Sequence, residues 1–438
     1  MSSNPSSPAS SCSAAANHQE TTTTLQQLPA GEAAGGIATT SRAEAAADAD
    51  ELSPPRCEWE FRLAATVPST ALPGASDAIG SVDFDPTGRL LATGGIARRI
   101  RMYHVASLLQ QQGSGGGAAT WAPAACICVP AKLSSVRWPS PSSVGCGDYD
   151  GVVTEYDVER GVPSWERDEH AGRRVWSLDY SPATAGSAMA ASGSDDRTAH
   201  VWDPRSPSAG WATARAAAAV LCVEFDPSGS PLLAVGSADR RAVVYDVRAL
   251  GRGAVARMDG HGRAVTYVRW AAGPRRVVTS AADGTHRLWE WTTSPAAAAV
   301  EAEAREVRSY SGHASARSFV GMGVWRAGGL VASGSESNHV FVYDLRWAKP
   351  IWVHPFVVGG GAHGPATAPA GSGSSLVVDD DTEAAAAGGG GRFVSAVAWR
   401  QGSDGDGGGA LVAGGSDGVL KLFTCHRRDD DSSSLLLQ

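Results

Sequence analysis

The amino-acid sequence predicts an all-β protein, a propeller of seven blades, from a pattern that recurs seven times between Gly80 and Phe423. Each repeat holds a short apolar strand, a turn, a strand of small residues such as LLATGG, and an aromatic residue usually followed by aspartate. An aspartate stands six residues before five of these aromatic residues, a spacing that chance does not maintain. The aromatic residues are Tyr103, Tyr156, Trp202, Tyr245, Trp289, Tyr343 and Phe423. The aspartates are Asp150, Asp196, Asp239, Asp283 and Asp417.

Repeats of roughly 40 to 50 residues with this signature are typical of propeller blades, each a sheet of four antiparallel strands. The predicted fold class is therefore a seven-bladed WD-repeat β-propeller with a disordered N-terminal arm. The repeat predicts blades at Ile79–Tyr103, Leu133–Tyr156, Val175–Trp202, Leu221–Tyr245, Val265–Trp289, Phe319–Tyr343 and Phe393–Phe423.

The composition divides the chain into an arm, one domain and a tail. Residues 1–56 are rich in Ser, Thr, Ala and Pro, and such a segment buries too little apolar surface to fold, so it is predicted to be disordered. The propeller is assigned to residues 57–425, with insertions at 110–124 and 357–391, and residues 426–438 to a flexible tail. Alternating Trp59, Phe61 and Leu63 indicate a strand, which we expect to close the ring by pairing with the last blade.

Charge and motifs exclude several classes of function. The net charge of -8 argues against direct binding of nucleic acid, and the sequence has neither a secretory signal nor an apolar run long enough to span a membrane. We expect an intracellular protein, present in the nucleus and the cytoplasm. The strings at 414–418 and 359–364 match G-x-S-x-G and G-x-G-x-x-G outside the strand-to-helix context that their chemistry needs. We therefore predict no enzymatic activity, no cofactor and no metal.

Two blades carry residues that can form a buried hydrogen-bonded group, which we call the blade polar set. A histidine before the first strand, a hydroxyl on the second strand, the turn aspartate and the closing aromatic satisfy one another's polar atoms. This role is structural, although a His–Asp pair also occurs in catalytic sites. The set is assigned to His170, Ser192, Asp196 and Trp202 in blade three and to His261, Ser280, Asp283 and Trp289 in blade five.

Basic residues gather at positions that share one face of a propeller. The loop entering each first strand and the turn between the second and third strands lie on the same face, and those places hold Lys132, Arg173, Arg174, Arg263, Arg98, Arg99, Arg197, Arg240 and Arg241. Two interpretations stay open: ordinary solvated charge, or a docking surface for an acidic peptide. Trp176 and Phe319 lie just inside first strands on that face and could supply an apolar floor.

A third signal follows the closing aromatic of three blades. Trp202-Asp203-Pro-Arg205, Tyr245-Asp-Val-Arg248 and Tyr343-Asp344-Leu-Arg346 place an arginine two residues after the aspartate. The fold does not require this arginine. It could pair with a neighbouring carboxylate, or it could serve a partner.

Five strings of the sequence closely resemble one plant family. They are SDAIGSVDFDPTGRLLATGGIARRIRMY (76–103), AKLSSVRW (131–138), GDYDGVVTEYDVERGVPSWERDEHAGRRVWSLDY (147–180) and RSFVGMGVW with SGSESNHVFVYDLRW (317–347). They are similar to the plant repressors of UV-B photomorphogenesis (RUP), WD-repeat proteins related to the propellers of the constitutive-photomorphogenic ubiquitin ligase and of the suppressor-of-phytochrome proteins. The resemblance covers residues 57–425.

The resemblance implies a function and a site. Such repressors bind the UV-B photoreceptor, compete with the ligase for it and promote its return to the inactive dimer. The related propellers bind Val-Pro peptides with acidic flanks, and their contact positions correspond here to Lys132, Tyr149, Arg174, Trp176, Arg263 and Phe319. The acidic residue that the ligase has before the FVG string is Ala316 here, which puts the peptide preference in doubt. The implied partners are the acidic tail of the photoreceptor and the ligase itself.

The three tails resemble a known docking signature, W-D-x-R, which suggests an alternative function. W-D-x-R is the signature with which some WD-repeat proteins dock on the damaged-DNA-binding adaptor of cullin-4 ubiquitin ligases. Trp202, Asp203 and Arg205, with Tyr343, Asp344 and Arg346, would then make the chain a substrate receptor for a photomorphogenic transcription factor. Residues 1–56 hold one cysteine, Cys12, and no heptads, so we expect neither the RING nor the coiled coil of the photomorphogenic ligase there.

Overall fold

A computed structural model describes residues 58–71, 75–110, 122–168, 170–182, 189–206, 212–292, 302–356, 391–401 and 408–428. Seven sheets of antiparallel strands follow one another along the chain, which confirms the seven-bladed propeller. Most of the predicted arm, of both insertions and of the tail lies outside the described residues, as does the G-x-G-x-x-G string at 359–364. No helix of the described ranges has the length and apolar character needed to cross a membrane.

The first four blades each use four consecutive strands. Blade one contains β2 (Ile79–Phe84), β3 (Leu90–Gly95), β4 (Arg99–His104) and β5 (Ala125–Cys128), with the short helix α1 (Val105–Gln110) between the last two. Blade two contains β6 (Leu133–Ser140), β7 (Ser143–Asp148), β8 (Val153–Asp157) and β9 (Pro163–Arg167). Blade three contains β10 (Val175–Tyr180), β11 (Ala190–Ser194), β12 (Thr198–Trp202) and β13 (Ala212–Arg215). Blade four contains β14 (Val220–Phe225), β15 (Leu232–Ser237), β16 (Arg241–Asp246) and β17 (Ala254–Asp259), with a 3-10 helix at Val247–Arg252.

The last three blades include two additions to this plan. Blade five contains β18 (Val265–Trp270), β19 (Arg276–Ala281), β20 (His286–Glu290) and β22 (Arg305–Tyr310), while β21 (Ala302–Glu303) pairs in parallel with β17 of blade four. Blade six contains β23 (Met322–Trp325), β24 (Leu330–Ser333), β25 (His339–Asp344) and β26 (Pro350–Pro355). Blade seven contains β27 (Val394–Trp399), β28 (Gly409–Gly415) and β29 (Leu420–Arg427), and its fourth strand is β1 (Trp59–Val67).

The ring closes as the sequence predicts, because β1 pairs antiparallel with β29 from Trp59 opposite Arg427 to Val67 opposite Leu420. The pairing removes a long exposed sheet edge, which would otherwise be open to another chain. One boundary needs correction, since β29 ends at Arg427 and not at residue 425. His426 and Arg427 therefore belong to the sheet, where Arg427 also pairs with Glu58 at 3.0 Å.

The apolar core lies between neighbouring blades, and this explains the strands of small residues. A Cβ added at Gly94 on β3 would lie 2.4 Å from Val136 of blade two, and one at Gly193 on β11 would lie 2.5 Å from Val220 of blade four. The second strand of a blade can therefore hold only small side chains where the next blade packs. The bulky partners are residues of the first strands, such as Trp325 and Trp399, whose rings stack at 5.5 Å.

The antiparallel order of the strands gives the propeller two faces. We call upper the face that carries the loops entering the first strands and the turns between second and third strands. The lower face carries the turns between first and second strands and those between third and fourth strands. The predicted basic residues lie on the upper face, and the three D-x-R tails lie on the lower face.

Candidate protein-interaction site

A β-bulge places Trp176 at the mouth of the central channel. Six first strands carry a bulge at the same point, and the extra residues are Gly80, Ser134, Trp176, Leu221, Thr266 and Ser395. In blades two, five and seven the hydroxyl at this point donates to a carbonyl of the neighbouring strand. Trp176 is half-buried and points to the mouth, since a bulge re-aims the side chain that it carries.

Trp176 meets an aromatic residue from the other side of the ring. Its ring stacks on Phe319 with centroids 4.6 Å apart and planes 26° from parallel. Phe319 lies in the loop before β23, and Gly321 two residues later has a φ of 71°. A Cβ at Gly321 would lie only 2.6 Å from the backbone nitrogen of Val397. Only glycine therefore fits at the third position of the FVG string. Tyr267 contacts Phe319 edge-on at 6.2 Å.

A guanidinium extends this stack on the side of blade two. The Cζ atom of Arg174 lies 3.9 Å from the ring centroid of Tyr149 and 4.6 Å from that of Trp176. Arginine between two aromatic faces gains from cation–π attraction and keeps donors at its edge for an acceptor. Tyr149, Arg174, Trp176 and Phe319 thus form one contiguous surface, which we call the mouth stack.

Two acidic residues hold the mouth stack in place, and sequence reasoning missed both. Asp195 Oδ1 accepts a hydrogen bond from the indole Nε1 of Trp176 at 2.5 Å. Glu336 accepts from the backbone nitrogen of Ser318 at 2.7 Å and donates its own N–H to Ala314 O at 2.8 Å, which ties down the loop that carries Phe319. Asp195 directly precedes the repeat aspartate Asp196, and Glu336 lies in the same turn of blade six, where the repeat position is Ser337. The repeat pattern marks neither of them.

The remaining predicted peptide contacts lie at different distances from the stack. Lys132 precedes β6, and its carbonyl accepts from the backbone nitrogen of Tyr149 at 3.0 Å, which joins the two loops. Arg263 stands in the loop that enters blade five and is half-exposed. It belongs to the same face as the mouth stack.

The channel holds a cavity of about 300 Å³, which is lined by Tyr149, Trp176 and Phe319 and by charged first-strand residues. Burial raises the pKa of Asp83 to about 6, and it raises the pKa of Asp179 and of Glu224 as well. Arg137 lies 3.7 Å from Asp179, and Arg269 lies 3.9 Å from Glu224. Each arginine therefore pairs with an acid of a neighbouring blade, while Asp179 and Glu224 stand on adjacent blades.

The polar set of blade three forms around His170, with one correction. His170 Nδ1 lies 2.8 Å from Asp196 Oδ2, and Nε2 lies 2.7 Å from Ser192 Oγ. The indole Nε1 of Trp202 has no hydrogen-bond partner among the described residues, so its assignment to the hydrogen-bonded set is wrong. Trp202 packs edge-on against Trp165 at 6.2 Å instead.

The polar set of blade five needs a different correction, because its hydroxyl comes from Thr279 and not from Ser280. Thr279 Oγ1 lies 2.7 Å from His261 Nε2 and accepts from Trp289 Nε1 at 2.8 Å, while His261 Nδ1 lies 3.0 Å from Asp283. Neighbouring residues of a strand face opposite sides, so Ser280 points away. Burial raises the pKa of Asp283, but the hydrogen bonds from His261 and Thr285 outweigh it and leave the pKa well below its usual range.

Among the described residues, one group has the spacing of metal ligands: His170, Asp196 and His200, whose ligand atoms lie within 4.8 Å of one another. His200 Nε2 is 4.0 Å from Asp196 Oδ2, and burial together with His170 lowers the pKa of His200 to about 4. Both ring nitrogens of His170 already have partners in Asp196 and Ser192, so an ion would have to displace a hydrogen bond of the blade polar set.

The arginines of the three tails fold back on their own aspartates. Arg205, Arg248 and Arg346 each donate hydrogen bonds from Nε and Nη2 to the aspartate two residues before. Arg346 also lies 3.2 Å from Glu58 beside β1, and hydrogen bonding to Arg346 is the main reason that the pKa of Glu58 is lowered. Arg346 therefore helps to close the ring, whereas Arg205 and Arg248 form ion pairs with Asp203 and Asp246 of their own tails.

Comparisons with known proteins agree with this architecture. A family model described as "WD domain, G-beta repeat" matches residues 66–104, 161–203 and 253–290. The "WD repeat-containing protein RUP1" of Arabidopsis thaliana is 45% identical over 375 residues, which cover 84% of this chain and 86% of that protein. "WD repeat-containing protein RUP2" of the same plant is 45% identical over 368 residues, 81% of this chain and 89% of the relative.

The chain belongs to the RUP family of WD-repeat proteins. A more distant relative is the "E3 ubiquitin-protein ligase COP1" of Arabidopsis thaliana, 29% identical over 284 residues, which cover 64% of this chain and 39% of the ligase. The RUP relatives match nearly their whole length, and the ligase matches over a part. These relatives therefore support a function as a WD-repeat regulator related to COP1.

Proposed function

We propose that this RUP-family chain is a non-enzymatic repressor of UV-B signalling that works in the nucleus and the cytoplasm. It captures the acidic Val-Pro segment of the UV-B photoreceptor on the mouth stack, competes there with the photomorphogenic ubiquitin ligase, and promotes the return of the photoreceptor to its inactive dimer. The observation that carries the proposal is the mouth stack, an aromatic surface with a guanidinium fixed between two rings on an otherwise polar face.

The chemistry of such a segment suits this surface. A Val-Pro pair offers two compact apolar side chains that can pack on the exposed faces of Trp176 and Phe319 at low entropic cost. Carboxylates beside the pair can reach the guanidinium edge of Arg174 and the ammonium group of Lys132. Because Arg174 is already held between two rings, little of its side-chain freedom is lost when an acidic residue binds.

The proposal is tested by titrating a fluorescein-labelled peptide from the photoreceptor tail with the full chain. A matching peptide with Ala-Ala in place of Val-Pro should bind far more weakly. The double variant Lys132→Glu with Trp176→Ala should abolish binding of the wild-type peptide, while circular dichroism shows the propeller still folded. Unchanged affinity of this variant would end the peptide-capture proposal.

The chain offers a matched control for that variant on the opposite face. Trp347 and Lys349 lie between the third and fourth strands of blade six, and Lys349 is exposed. The double variant Lys349→Glu with Trp347→Ala makes the same changes of residue type and charge on the lower face. It should bind the peptide as the wild type does, and only then does the loss in the first variant belong to the mouth stack.

A second candidate function uses the lower face, where the side chains of Arg205 and Arg248 are 57% and 72% exposed. Docking of a cullin-4 adaptor there would leave the mouth stack open for a substrate. Arg205→Ala is the cleanest test, because Arg346 also ties β1 into the ring and its loss would disturb the fold. The variant should no longer co-purify with the adaptor and should still bind the peptide. If it recovers as much adaptor as the wild type does, the tails have only a structural role.

A further inference from the structure

The turn between the second and third strands has one residue with positive φ in every blade. Blades two, five and seven use glycine there, with φ of 95°, 80° and 80°, and blade six uses asparagine with φ of 58°. Blades one, three and four use arginine, with φ of 54°, 69° and 75°. The residues, in blade order, are Arg98, Gly151, Arg197, Arg240, Gly284, Asn338 and Gly418.

Arginine is an unfavourable choice for this conformation. The left-handed region brings Cβ of an L-residue too close to the following carbonyl oxygen, and glycine avoids that contact. Asparagine eases it through local hydrogen bonds of its short side chain, whereas arginine has no such means. Three blades of this chain fold with glycine at the same point. The propeller fold therefore does not require arginine there. The presence of Arg98, Arg197 and Arg240 in a strained conformation indicates a role other than folding.

Available space does not explain which blades carry arginine. A Cβ at Gly151 would lie 2.9 Å from the backbone nitrogen of Arg173, and one at Gly418 would lie 2.8 Å from Asp77, so blades two and seven must use glycine. At Gly284 in blade five, the nearest atom would be 3.8 Å away, an ordinary contact. A side chain fits in blade five, yet none is present. The arginines are thus confined to blades one, three and four.

In blade two, which has glycine at this turn, an arginine from a neighbouring loop supplies positive charge. The loop that enters blade three passes over Gly151, and it carries the exposed side chain of Arg173. Positive charge therefore runs along the upper face from blade one to blade four. The side of blades five to seven shows Gly284, Asn338 and Gly418 at the same turns.

These guanidinium groups are exposed, and no carboxylate in the part of the chain that the structure describes neutralises them. Arg98, Arg197 and Arg240 all point into solvent, and none forms an ion pair with a carboxylate of the described residues. The neighbour Arg241 differs, since its Nε lies 3.1 Å from Asp259. A chain with a net charge of -8 keeps free positive charge here in a strained backbone conformation.

We propose that Arg98, Arg197 and Arg240, which we call the basic arc, bind a carboxylate-rich segment of a partner protein. The segment runs outward from the mouth stack across blades one to four. The proposal rests on the proposed function in one respect, that the upper face is the docking face. A flexible acidic polypeptide suits the arc, because its carboxylates can settle on arginines that are a blade apart. A nucleic acid suits the arc less well, because the chain as a whole has a net charge of -8.

Three fluorescein-labelled peptides test the arc. The first contains a Val-Pro pair in a neutral sequence, the second adds a run of glutamates, and the third is the run alone. The full chain is compared with the triple variant Arg98→Gly, Arg197→Gly and Arg240→Gly, which adopts the residue that other blades use and should fold at least as well. The variant should bind the second peptide roughly tenfold more weakly and with a smaller salt dependence, because three exposed ion pairs are lost. It should lose the third peptide and bind the first as before.

Two single variants serve as controls. Arg275 is exposed and has a φ of 57°, but it stands between the first and second strands of blade five, on the lower face. Arg275→Gly removes one arginine from the same backbone conformation there and should leave all three affinities unchanged. Asn338→Gly makes the backbone change on the upper face without a change of charge, and it should also have no effect.

The outcomes separate this proposal from the proposed function. The arc proposal would be overturned if the triple variant bound the second peptide as tightly as the wild type does, and likewise the third. Failure of the first peptide to bind the wild type, with the third still lost in the triple variant, would overturn Val-Pro capture and support the arc. Tighter competition by a single-stranded oligonucleotide than by the glutamate run would assign the arc to phosphates and overturn the proposal.

The chain's own acidic run is the remaining occupant to test. Its acids are Asp379, Asp380, Asp381 and Glu383, which lie outside the described residues. They are changed to Asn or Gln in the wild type and in the triple variant. If these changes tighten binding of the glutamate peptide to the wild type but not to the triple variant, the arc binds the chain's own acidic run. That result would overturn docking of a partner. Unchanged binding would support it.

Discussion

Trp176 of blade three and Phe319 of blade six stack on each other across the channel mouth, with ring centroids 4.6 Å apart. Blades four and five separate these residues along the chain, so their contact exists only once the ring has closed. The aromatic surface proposed for peptide binding therefore reports on the integrity of the whole propeller. A variant that opens the ring should lose the site even when no residue of the mouth stack has changed.

Asp195 is expected to act through Trp176. Asp195→Ala removes the acceptor of the indole N–H, so the ring should leave its position and the tail peptide should bind roughly fivefold more weakly. Asp195→Asn keeps an acceptor oxygen and should bind nearly as the wild type does. Fluorescence anisotropy measures both, and the urea midpoint should not change. Equal weakening by both variants would point to the charge of Asp195 instead of its hydrogen bond.

Thr279 should contribute far more to stability than its neighbour Ser280. Thr279→Val leaves His261 Nε2 and Trp289 Nε1 buried without a partner and should cost about 2 kcal/mol of unfolding free energy. Ser280 Oγ is buried and has no hydrogen-bond partner among the described residues, so Ser280→Ala should have little effect. Urea unfolding of the two variants compares them directly. A larger loss for Ser280→Ala would contradict the corrected polar set.

The stacked pair His286 and His313 should make the propeller less stable in acid. Their rings lie 3.8 Å apart, and burial lowers the pKa of His313 to about 4 and that of His286 well below its usual range. The unfolded chain therefore binds more protons once the pH falls below about 6.5, and stability is lost from there down to pH 4.

The variant His286→Phe tests this dependence. Both ring nitrogens of His286 lack hydrogen-bond partners among the described residues, so phenylalanine keeps the stacked shape and removes a titrating group. The fall in unfolding free energy between pH 6.5 and pH 4 should become shallower, with no loss at pH 7. An identical pH profile for variant and wild type would show that His286 does not contribute to it.

Trp59 should anchor the closing strand. Its ring contacts Trp325 of blade six edge-on at 5.1 Å, and the side chain is 7% exposed. Trp59→Ala leaves a cavity there and should cost about 3 kcal/mol, with aggregation on heating as the β29 edge opens. Glu60→Ala removes the exposed ion pair with Arg62 and should cost less than about 0.5 kcal/mol. Thermal unfolding followed by light scattering measures both effects.

Some residues of the site were predictable and others were not. Trp176 could be found because it departs from the small and polar residues that occupy the same point in most other blades. Asp195 and Glu336 could not, because acidic residues recur in these turns and the pattern does not show which of them accepts from a neighbouring loop. The assignment of the blade-five hydroxyl to Ser280 is wrong because adjacent hydroxyls are equivalent in the sequence, whereas the strand register directs Thr279 and Ser280 to opposite faces.

The sequence by itself determined the number of blades, the closing strand and the face that carries the basic residues, because all three follow from periods and from the alternation of antiparallel strands. Tertiary structure alone decided which distant residues meet. It brought Trp176 to Phe319, fixed Arg174 between two rings, turned the tail arginines back on their own aspartates and required positive φ of Arg98, Arg197 and Arg240. These contacts depend on how the blades are packed around the channel, and a repeat that is read one blade at a time does not contain that information.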